Sequence, residues 1–304
     1  MSLELELKYL ISAADAALLP DLLQLYPILR TTEPQSLLNA YFDTAEHWFR
    51  QHDMGLRSRL KLGRFEQTLK LAGQQHGALQ IRPEYNVPCH GVIPQLDQFP
   101  AEVWPADTDI SALQTQLVEL FRTDFQRSSW VVQLPDAEIE VVYDNGEVRA
   151  GERRQAISEM ELELLSGRPQ ALFELAEFLL KALPLRTGWL SKAARGYQLF
   201  HNKTTARPKP LAAQQAAQPL LVYLQRLQQL ENCYLQELAP DLLSEVEDAL
   251  QQLAHQLTDE GQQLLSSQAR TAARELAESG ALVFNSQAYH LLLLKVSALL
   301  LQDV

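Results

Sequence analysis

Hydrophobic and polar residues alternate with a period of two in eight segments of the first part of the chain. This alternation is typical of β-strands that bury one face. The segments are residues 3–10, 36–42, 55–62, 65–71, 78–87, 129–134, 137–148 and 157–165. Helical periodicity is found at residues 13–26, 111–121, 170–182 and 191–200. Asp144-Asn145-Gly146 has the composition of a turn, although a turn there would cut one strand short.

The pattern changes after residue 202. Residues 203–213 contain Arg-Pro-Lys-Pro and no apolar period, which is typical of a linker. Leu, Gln, Ala and Glu then dominate four segments with almost no strand signal, at residues 214–238, 241–258, 260–279 and 286–302. The pattern predicts an α+β chain with a mixed domain over 1–202, a linker over 203–213 and a small antiparallel all-α domain over 214–304.

Several predicted strands carry charged residues on one face. Residues two apart in a strand share a face, so Glu4, Glu6 and Lys8 lie opposite Leu5 and Leu7. The other sets at matched parity are Arg57 with Arg59; Glu66, Thr68 and Lys70; Arg82 with Glu84; Glu138, Glu140 and Asp144; and Glu159, Glu161 and Glu163. Contact with solvent would explain charged residues on one face of a single strand. It explains the same pattern in six strands less well.

Three glutamates in one row repel each other unless cations neutralise them. Carboxylates commonly hold Mg²⁺, which bridges them to substrate phosphate, while Arg and Lys bind phosphate oxygens. A barrel with apolar side chains outward under helices and charged side chains inward buries both faces. The pattern therefore favours a polar lumen that binds a phosphate compound with the help of a metal.

Composition narrows the range of partners. The net charge of -12 argues against nucleic acid or an anionic membrane as the main partner, whereas a locally basic lumen still accepts an anion. Cys89 and Cys233 form neither a disulfide framework nor a zinc motif, which fits a reducing compartment. The first residues are acidic where a signal peptide is basic, and the apolar stretch 291–301 is too short to span a bilayer. We expect a cytoplasmic protein.

The charged strands belong to an ordered set of motifs that resembles the CYTH superfamily, the triphosphate tunnel metalloenzymes. The motifs are Glu4-x-Glu6-x-Lys8, Tyr41-Phe42-Asp43-Thr44, His52-Asp53-Met54-Gly55-Leu56-Arg57-Ser58-Arg59, Thr68-Leu69-Lys70, Arg82-Pro83-Glu84-Tyr85-Asn86-Val87, Glu159-Met160-Glu161-Leu162-Glu163 and Ser191-Lys192-Ala193-Ala194-Arg195-Gly196-Tyr197. Within that superfamily the motif sequences are most similar to those of bacterial inorganic triphosphatases with a C-terminal helical CHAD-type domain.

The resemblance implies an eight-stranded antiparallel β-barrel that hydrolyses inorganic triphosphate to pyrophosphate and phosphate, with Mg²⁺ or Mn²⁺ in a two-metal site. The phosphate-binding residues it implies are Lys8, Arg57, Arg59, Lys70, Arg82, Arg127, Lys192 and Arg195, with Lys8, Lys70 and Lys192 in catalytic positions. The metal ligands it implies are Glu4, Glu6 and Glu161, with either Glu159 or Glu163 beside them and Asp144 as a further candidate.

The substrate and the role of the helical end stay open at this point. The same barrel serves nucleoside or thiamine triphosphate hydrolysis and adenylate cyclisation, and a polyphosphate-binding module without catalysis is a rival of another class. Residues 204–304 contain six Lys and Arg against eleven acids, unlike phosphate-binding CHAD helices. We interpret this end as a short, degenerate accessory domain that packs on the barrel or mediates self-association, with 291–301 as a buried helix.

Overall fold

Ten β-strands form one antiparallel sheet in the computed structural model, which describes residues 2–209 and 218–301. They are β1 (Ser2–Leu10), β2 (Ile28–Asp43), β3 (Gly55–Lys61), β4 (Arg64–Lys70), β5 (Gln74–His76), β6 (Leu79–Cys89), β7 (Val118–Leu134), β8 (Ala137–Ala150), β9 (Arg153–Gly167) and β10 (Arg186–Thr187). Eight of them close into a barrel in the order β1-β9-β8-β7-β2-β3-β4-β6, because β6 pairs again with β1. The short strands β5 and β10 extend β6 and β1.

The closing strand β1 shows why the alternation leads to a barrel. Glu6 lies opposite Glu163 of β9 on one side and Gln80 of β6 on the other, while Lys8 lies opposite Glu161. The intervening Leu7 and Tyr9 are fully buried in the core on the outside of the barrel. Apolar residues therefore pack outward and charged residues point inward, as the period of two predicts.

Ten α-helices accompany the strands in the described residues. They are α1 (Ala13–Ala16), α2 (Leu19–Leu23), α3 (Trp48–Gln51), α4 (Ile110–Thr115), α5 (Pro169–Ala182), α6 (Lys192–His201), α7 (Pro219–Glu237), α8 (Asp241–Asp259), α9 (Gln263–Ser279) and α10 (Gln287–Leu301). Short 3-10 helices lie at Leu96–Gln98, Ala101–Val103 and Gly280–Asn285. None of the described helices combines the length and the apolarity that crossing a membrane requires.

The largest difference from the sequence prediction concerns residues 111–128. The predicted helix over 111–121 ends at Thr115, and β7 begins at Val118, well before the predicted start at residue 129. Leu120, Phe121 and Phe125 are buried in the core, and the strand pairs along most of its length with β2, which itself begins at Ile28. Pairing with a neighbouring strand outweighs the weak local helical pattern here.

Asp144-Asn145-Gly146 is not a turn. It lies inside β8, where Asp144 is opposite Arg127 and Gly146 is opposite Phe125. A Cβ atom on Gly146 would approach the Asp124 backbone oxygen to 2.2 Å, so glycine allows β7 to come close at this position. The predicted helix 13–26 is also interrupted: it forms the two short helices α1 and α2, and Pro20 lies in the first turn of the second.

The helices after residue 218 agree with the predicted helical segments. Residues 214–217 and residue 302 of those segments lie outside the described residues, as do 210–213 of the predicted linker. Residues 203–209 have no regular secondary structure, and Arg207 binds Glu237 and Asp241 at 3.0 and 2.6 Å. The division of the chain into two domains stays a prediction.

The helical region packs directly on the barrel. Leu294 of α10 is part of the same buried core as α5, with Leu291, Ala298 and Leu301 against it. The Gln287 side chain donates hydrogen bonds to the carbonyl oxygens of Leu180 and Lys181 at 3.0 and 3.1 Å. The leucine-rich segment 291–301 is therefore a helix covered by its own chain, as predicted.

Candidate active site

The lumen of the barrel is a polar cavity of about 250 Å³. Most of the site residues predicted from the sequence line it. They are Glu4, Glu6, Lys8, Arg57, Arg59, Lys70, Arg82, Arg127, Glu161, Glu163 and Lys192. Six strands and the first turn of α6 thus direct these charged side chains into one space, which is the outcome that matched parity predicts.

Cations outnumber carboxylates in this lumen. Eight Lys and Arg line it, namely Lys8, Arg57, Arg59, Lys61, Lys70, Arg82, Arg127 and Lys192. Six carboxylates line it, namely Glu4, Glu6, Glu84, Glu140, Glu161 and Glu163. The protein as a whole carries a net charge of -12, so positive charge is concentrated where an anion could be held.

Asp144, Glu159 and Arg195 do not line the cavity themselves but contact residues that do. Arg127 donates two hydrogen bonds to Asp144, at 2.7 and 2.6 Å, and the Lys192 ammonium lies 2.6 Å from the same carboxylate. Glu159 forms ion pairs with Lys192 and Arg195 and is fully buried. Burial raises the pKa of Asp144, but Lys192 and Arg127 outweigh it and hold that pKa below its usual range.

Lys8 and Glu161 form the centre of the inner charge network. Lys8 is 2% exposed, and its ammonium group lies 3.1 Å from Glu161 and 3.5 Å from Glu6. Burial lowers the pKa of Lys8, but Glu161 and Glu6 more than offset it, so the side chain is protonated at neutral pH. Glu161 also accepts from Lys192 and Arg127 at 3.0 Å each, and these cations hold its pKa well below the usual range against the effect of burial.

Lys70 connects two further carboxylates across β4, β1 and β6. Its ammonium lies 2.5 Å from Glu4 and 2.9 Å from Glu84. Burial raises the pKa of Glu84, yet Lys70 and Arg57 outweigh it and lower the value to about 2. Glu84 is therefore ionised across the physiological pH range and holds Lys70 in the lumen.

Glu163 is the least compensated carboxylate of the lumen. No ion pair within 4 Å involves it among the described side chains, and burial raises its pKa to about 8 with Glu4, Glu6 and Glu140 adding to the shift. The pKa of Glu6 is raised too, first by burial and then by Glu161. Burial and neighbouring carboxylates thus disfavour ionisation of the carboxyl groups on this side of the cavity, and a bound cation would favour it.

Arg57, Arg59 and Arg127 form a region of excess positive charge. Burial, followed by repulsion from Arg57 and Arg127, lowers the pKa of Arg59 to about 9. The Arg59 guanidinium is held in place by a 2.7 Å hydrogen bond from its Nε to the Asn39 side-chain oxygen. Crowded guanidinium groups of this kind are stabilised by a multivalent anion, and their planar forks match phosphate oxygens.

Clefts lie at two ends of the lumen. One shares Gly55, Arg82 and Ser191 with it, and the other shares Arg59, Arg127 and Glu140. Arg82 lies at the rim of the first, where its guanidinium donates to the backbone oxygens of Leu71 and Asp53 at 3.0 and 3.2 Å. The lumen therefore adjoins two further clefts, one that includes Gly55 at the start of β3 and one that includes Lys61 at its end.

Helix α6 places Lys192 through two local features. The Ser191 side chain accepts a 3.1 Å hydrogen bond from the Ala194 backbone and caps the helix at its first turn. A Cβ atom on Gly196 would lie 2.0 Å from the Phe121 ring, so glycine lets the helix sit directly on β7. The helix thus covers the lumen with its first turn.

Lys61, Glu84, Glu140, Tyr41 and Gln80 line the lumen but were not among the predicted site residues. The alternation along each strand could have identified some of them. Lys61 is on the same strand face as Arg57 and Arg59, and Glu84 is on the same face as Arg82. Tyr41 lies in one of the recognised motifs, and its ring stacks on Phe121 with centroids 4.6 Å apart. The sequence thus contained the signal for most of these residues.

Comparison with known proteins gives matches over the barrel part of the chain. An inorganic triphosphatase of Haemophilus influenzae is 38% identical over 203 residues, which are 64% of this chain and 54% of the relative. The chain thus spans about half the length of the curated relative that it matches.

Solved structures give weaker similarities. A Hippeastrum protein, studied as a candidate adenylyl cyclase and described as having a dominant triphosphatase activity, has a TM-score of 0.45 at 20% identity, covering 66% of this chain and 96% of its own. The PH1819 protein of Pyrococcus horikoshii has a TM-score of 0.43 at 17% identity, covering 64% and 98%. The family assignment rests on the sequence match: the model of the CYTH domain matches residues 2–197, and the chain belongs to the CYTH domain family.

Proposed function

We propose that this chain hydrolyses inorganic triphosphate to pyrophosphate and phosphate inside its barrel, with a divalent metal. The observation that carries the proposal is the lumen, where eight Lys and Arg and six carboxylates line one cavity in a protein of net charge -12. The relative at 38% identity, named an inorganic triphosphatase, supports the choice of substrate.

The cations are the proposed phosphate ligands. Arg57, Arg59 and Arg127 present guanidinium groups to one part of the lumen, and Lys8, Lys70 and Lys192 are protonated at neutral pH because nearby carboxylates raise their pKa values against the effect of burial. Together they would hold the phosphate chain in line and stabilise the charge that grows on the leaving pyrophosphate. Water attacks the terminal phosphorus as the bridging P–O bond breaks, so no protein nucleophile is required.

The residues fit a metal best near Glu4, Glu6 and Glu163. Among the described residues, the only three carboxylates with oxygens within 4.8 Å of one another are those of Asp144, Glu159 and Glu161, but Lys and Arg already neutralise that group. No described Lys or Arg lies within 4 Å of Glu163, and burial followed by the neighbouring carboxylates raises its pKa. We therefore propose that Glu4, Glu6 and Glu163 bind Mg²⁺ or Mn²⁺, with Glu161 shared with a second ion.

Oxygen ligands of this type suit both ions, and a bound ion would neutralise phosphate charge and activate water. In this interpretation Asp144 and Glu159 hold Lys192, Arg127 and Arg195 in place rather than binding metal. That assignment changes the role expected from the sequence for two of the six predicted ligands. The prediction that the glutamates of β9 share one strand face is unchanged by this assignment.

Phosphate release is the test of this function. Inorganic triphosphate, ATP and pyrophosphate are compared with Mg²⁺, with Mn²⁺ and with EDTA, for the wild type and for Lys70→Ala. We expect fast, metal-dependent release from triphosphate, and at least a 100-fold loss in Lys70→Ala because its ammonium lies between two carboxylates of the lumen. Lys181→Ala, on the exposed side of α5, is the control.

Each alternative gives a different result in this assay. Faster turnover of ATP keeps the barrel and makes the protein a nucleoside triphosphatase or cyclase. Tight triphosphate binding without release from any compound leaves a polyphosphate-binding module. Near-normal turnover by Lys70→Ala at saturating metal would contradict the assignment of the lumen as the active site.

Compartment and assembly are proposals as well. Both cysteines are unpaired and buried, which supports a reducing compartment such as the cytoplasm. Leu292, Leu293 and Leu300 are buried within the chain, so they support an internal role for α10 rather than a contact between copies. Gel filtration of the full chain at several concentrations tests self-association through the helical region.

A further inference from the structure

A second cleft, of about 350 Å³, lies between the barrel and the helical region. The barrel side contributes Arg186 of β10 and Arg195 of α6, and the helical side contributes Gln228 and Glu231 of α7. The rest of the wall is mixed: Leu10, Trp189, Leu190 and Leu235 are its large apolar residues, and its further polar residues are Gln155, Ser158, Thr187, Asn232 and Gln236. The cleft is separate from the lumen, since none of these residues lines the lumen cavity.

Gln228 is a buried amide without a partner. It is 2% exposed, and neither its Nε2 nor its Oε1 has a hydrogen-bond partner among the described residues. A buried amide that makes no hydrogen bond costs folding free energy, so native proteins rarely keep one. Gln228 is also one of the residues that line the cleft, so a ligand there that offers an acceptor and a donor together would satisfy this amide.

Two opposite charges face the same cleft without pairing. Arg186 forms no ion pair within 4 Å in the part of the chain that the structure describes, and its buried Nε has no partner. Glu231 is 6% exposed and accepts a 2.8 Å hydrogen bond from the Tyr289 hydroxyl, but no described cation contacts it. Burial raises the pKa of Glu231 to about 7, and the Tyr289 hydrogen bond and the charge of Arg186 offset only part of that shift.

Arg195 adds a third unpaired donor. Its terminal nitrogens bind Glu159 and the Ala156 backbone oxygen, whereas its Nε is buried and has no partner among the described residues. Donors therefore dominate the barrel side of the cleft, and among the described residues that line it the one carboxylate, Glu231, lies on the helical side. A lone anion would leave Glu231 unpaired, and a lone cation would leave Arg186 unpaired.

We propose that this cleft binds a small zwitterion of the α-amino-acid class. Its carboxylate accepts from Arg186 and the Gln228 Nε2, and its ammonium group donates to Glu231 and the Gln228 Oε1. The large apolar residues of the wall receive the side chain, so apolar amino acids fit better than charged ones. A volume of about 350 Å³ is in the range of small-molecule sites.

Thermal unfolding of the full chain tests the proposal. Free α-amino acids are added singly, with L-leucine and L-phenylalanine as the leading probes. The matched half-molecules are 4-methylpentanoate, which has only the carboxylate, and 3-methylbutylamine, which has only the ammonium group. We expect the preferred amino acid to raise Tm by about 3 °C at tenfold excess over its Kd, and the half-molecules to have no effect at the same concentration.

Variants connect the effect to the cleft. Arg186→Gln and Glu231→Gln each remove one charge, and we expect at least tenfold weaker binding by calorimetry. Gln228→Leu removes both unpaired amide atoms without adding a charge, so it folds and also binds at least tenfold more weakly. Arg274→Gln, on the exposed side of α9, is the control and binds like the wild type.

Three results would overturn the proposal. The first is that no α-amino acid shifts Tm or gives a calorimetric signal, which leaves a cleft filled with water. The second is that inorganic phosphate binds and amino acids do not. The third is that the amino acid binds equally well to Arg186→Gln and Glu231→Gln. Binding is measured without turnover, so the outcome is independent of the proposed triphosphatase activity.

Discussion

At the scale of single residues, the lumen is divided by charge. Arg59 is repelled by Arg57 and Arg127 on one side, and burial together with these neighbours lowers its pKa to about 9. Glu163 lies among other carboxylates on the opposite side, where burial and its neighbours raise its pKa to about 8. An anion and a cation bound together would relieve both excesses, which is the combination that metal triphosphate provides.

Glu163→Gln tests this division directly. In EDTA, we expect the variant to gain about 1 kcal/mol in free energy of unfolding, because a neutral amide replaces a carboxyl group whose ionisation is disfavoured by burial and by Glu4 and Glu6. In the hydrolysis assay, we expect at least a tenfold increase in the metal concentration for half-maximal rate. Urea denaturation and metal titration measure the two effects.

The control for this prediction is Glu66→Gln, an exposed glutamate on β4. It should change neither quantity, since its side chain contacts solvent. A Glu163→Gln protein that loses stability in EDTA and keeps the wild-type metal dependence would show that Glu163 is a structural residue. The metal assignment would then return to Asp144, Glu159 and Glu161.

Parity along the strands predicted which face each charged residue occupies, but it could not rank the residues on that face. Glu159, Glu161 and Glu163 all point inward, and only Glu159 is fully buried behind Lys192 and Arg195. Those two cations come from α6, an element far away in sequence. Their contacts depend on how the helix packs, which a strand pattern does not contain.

At the scale of elements, the sequence predicted part of each of the eight barrel strands, namely the part where hydrophobic and polar residues alternate clearly. The prediction failed where pairing with a neighbouring strand determines the structure. Residues 118–128 become a strand because β2 offers a long partner, with Phe125 opposite Leu37 in the register. Gly146 was misread because glycine after Asp-Asn is typical of turns. Glycine is required at position 146 because β7 comes close to it, and this contact exists only in the folded sheet.

Gly146→Ala is the corresponding prediction for β8. The new methyl group would meet the Asp124 backbone oxygen at 2.2 Å, and backbone cannot move aside as a flexible side chain can. We expect a loss of about 2 kcal/mol in free energy of unfolding, measured by urea denaturation. Gly91→Ala is the matched control, because nothing lies within 4 Å of its added Cβ; an equal loss in both variants would contradict the packing argument.

At the scale of the whole molecule, the barrel and the helical region behave as one packed body. Leu294 of α10 belongs to the core of the barrel, and His290 of the same helix accepts a hydrogen bond from the Thr187 backbone at 3.2 Å. The other ring nitrogen of His290 donates to the Phe284 oxygen at 2.9 Å. Unfolding the helices therefore also removes contacts from the wall that contains β10.

Two buried groups, His290 and Glu231, make the stability of this contact depend on pH, and their effects have opposite signs. Burial lowers the pKa of His290 to about 4, with Arg186 nearby adding to the shift. Burial raises the pKa of Glu231 to about 7, while Tyr289 and Arg186 oppose that shift. The stability from neutral His290 is lost as pH falls from 6.5 to about 4, whereas that from protonated Glu231 is lost as pH rises from 4.5 to about 7.

These effects offset each other in the wild type between pH 4.5 and 6.5, and single variants separate them. The stability advantage of the wild type over His290→Asn should shrink by a few kcal/mol as pH falls through this range. Its advantage over Glu231→Gln should shrink as pH rises through the same range. Urea denaturation of the three proteins at half-unit pH steps measures both slopes. Parallel curves would mean that neither group is held in the burial that the structure shows.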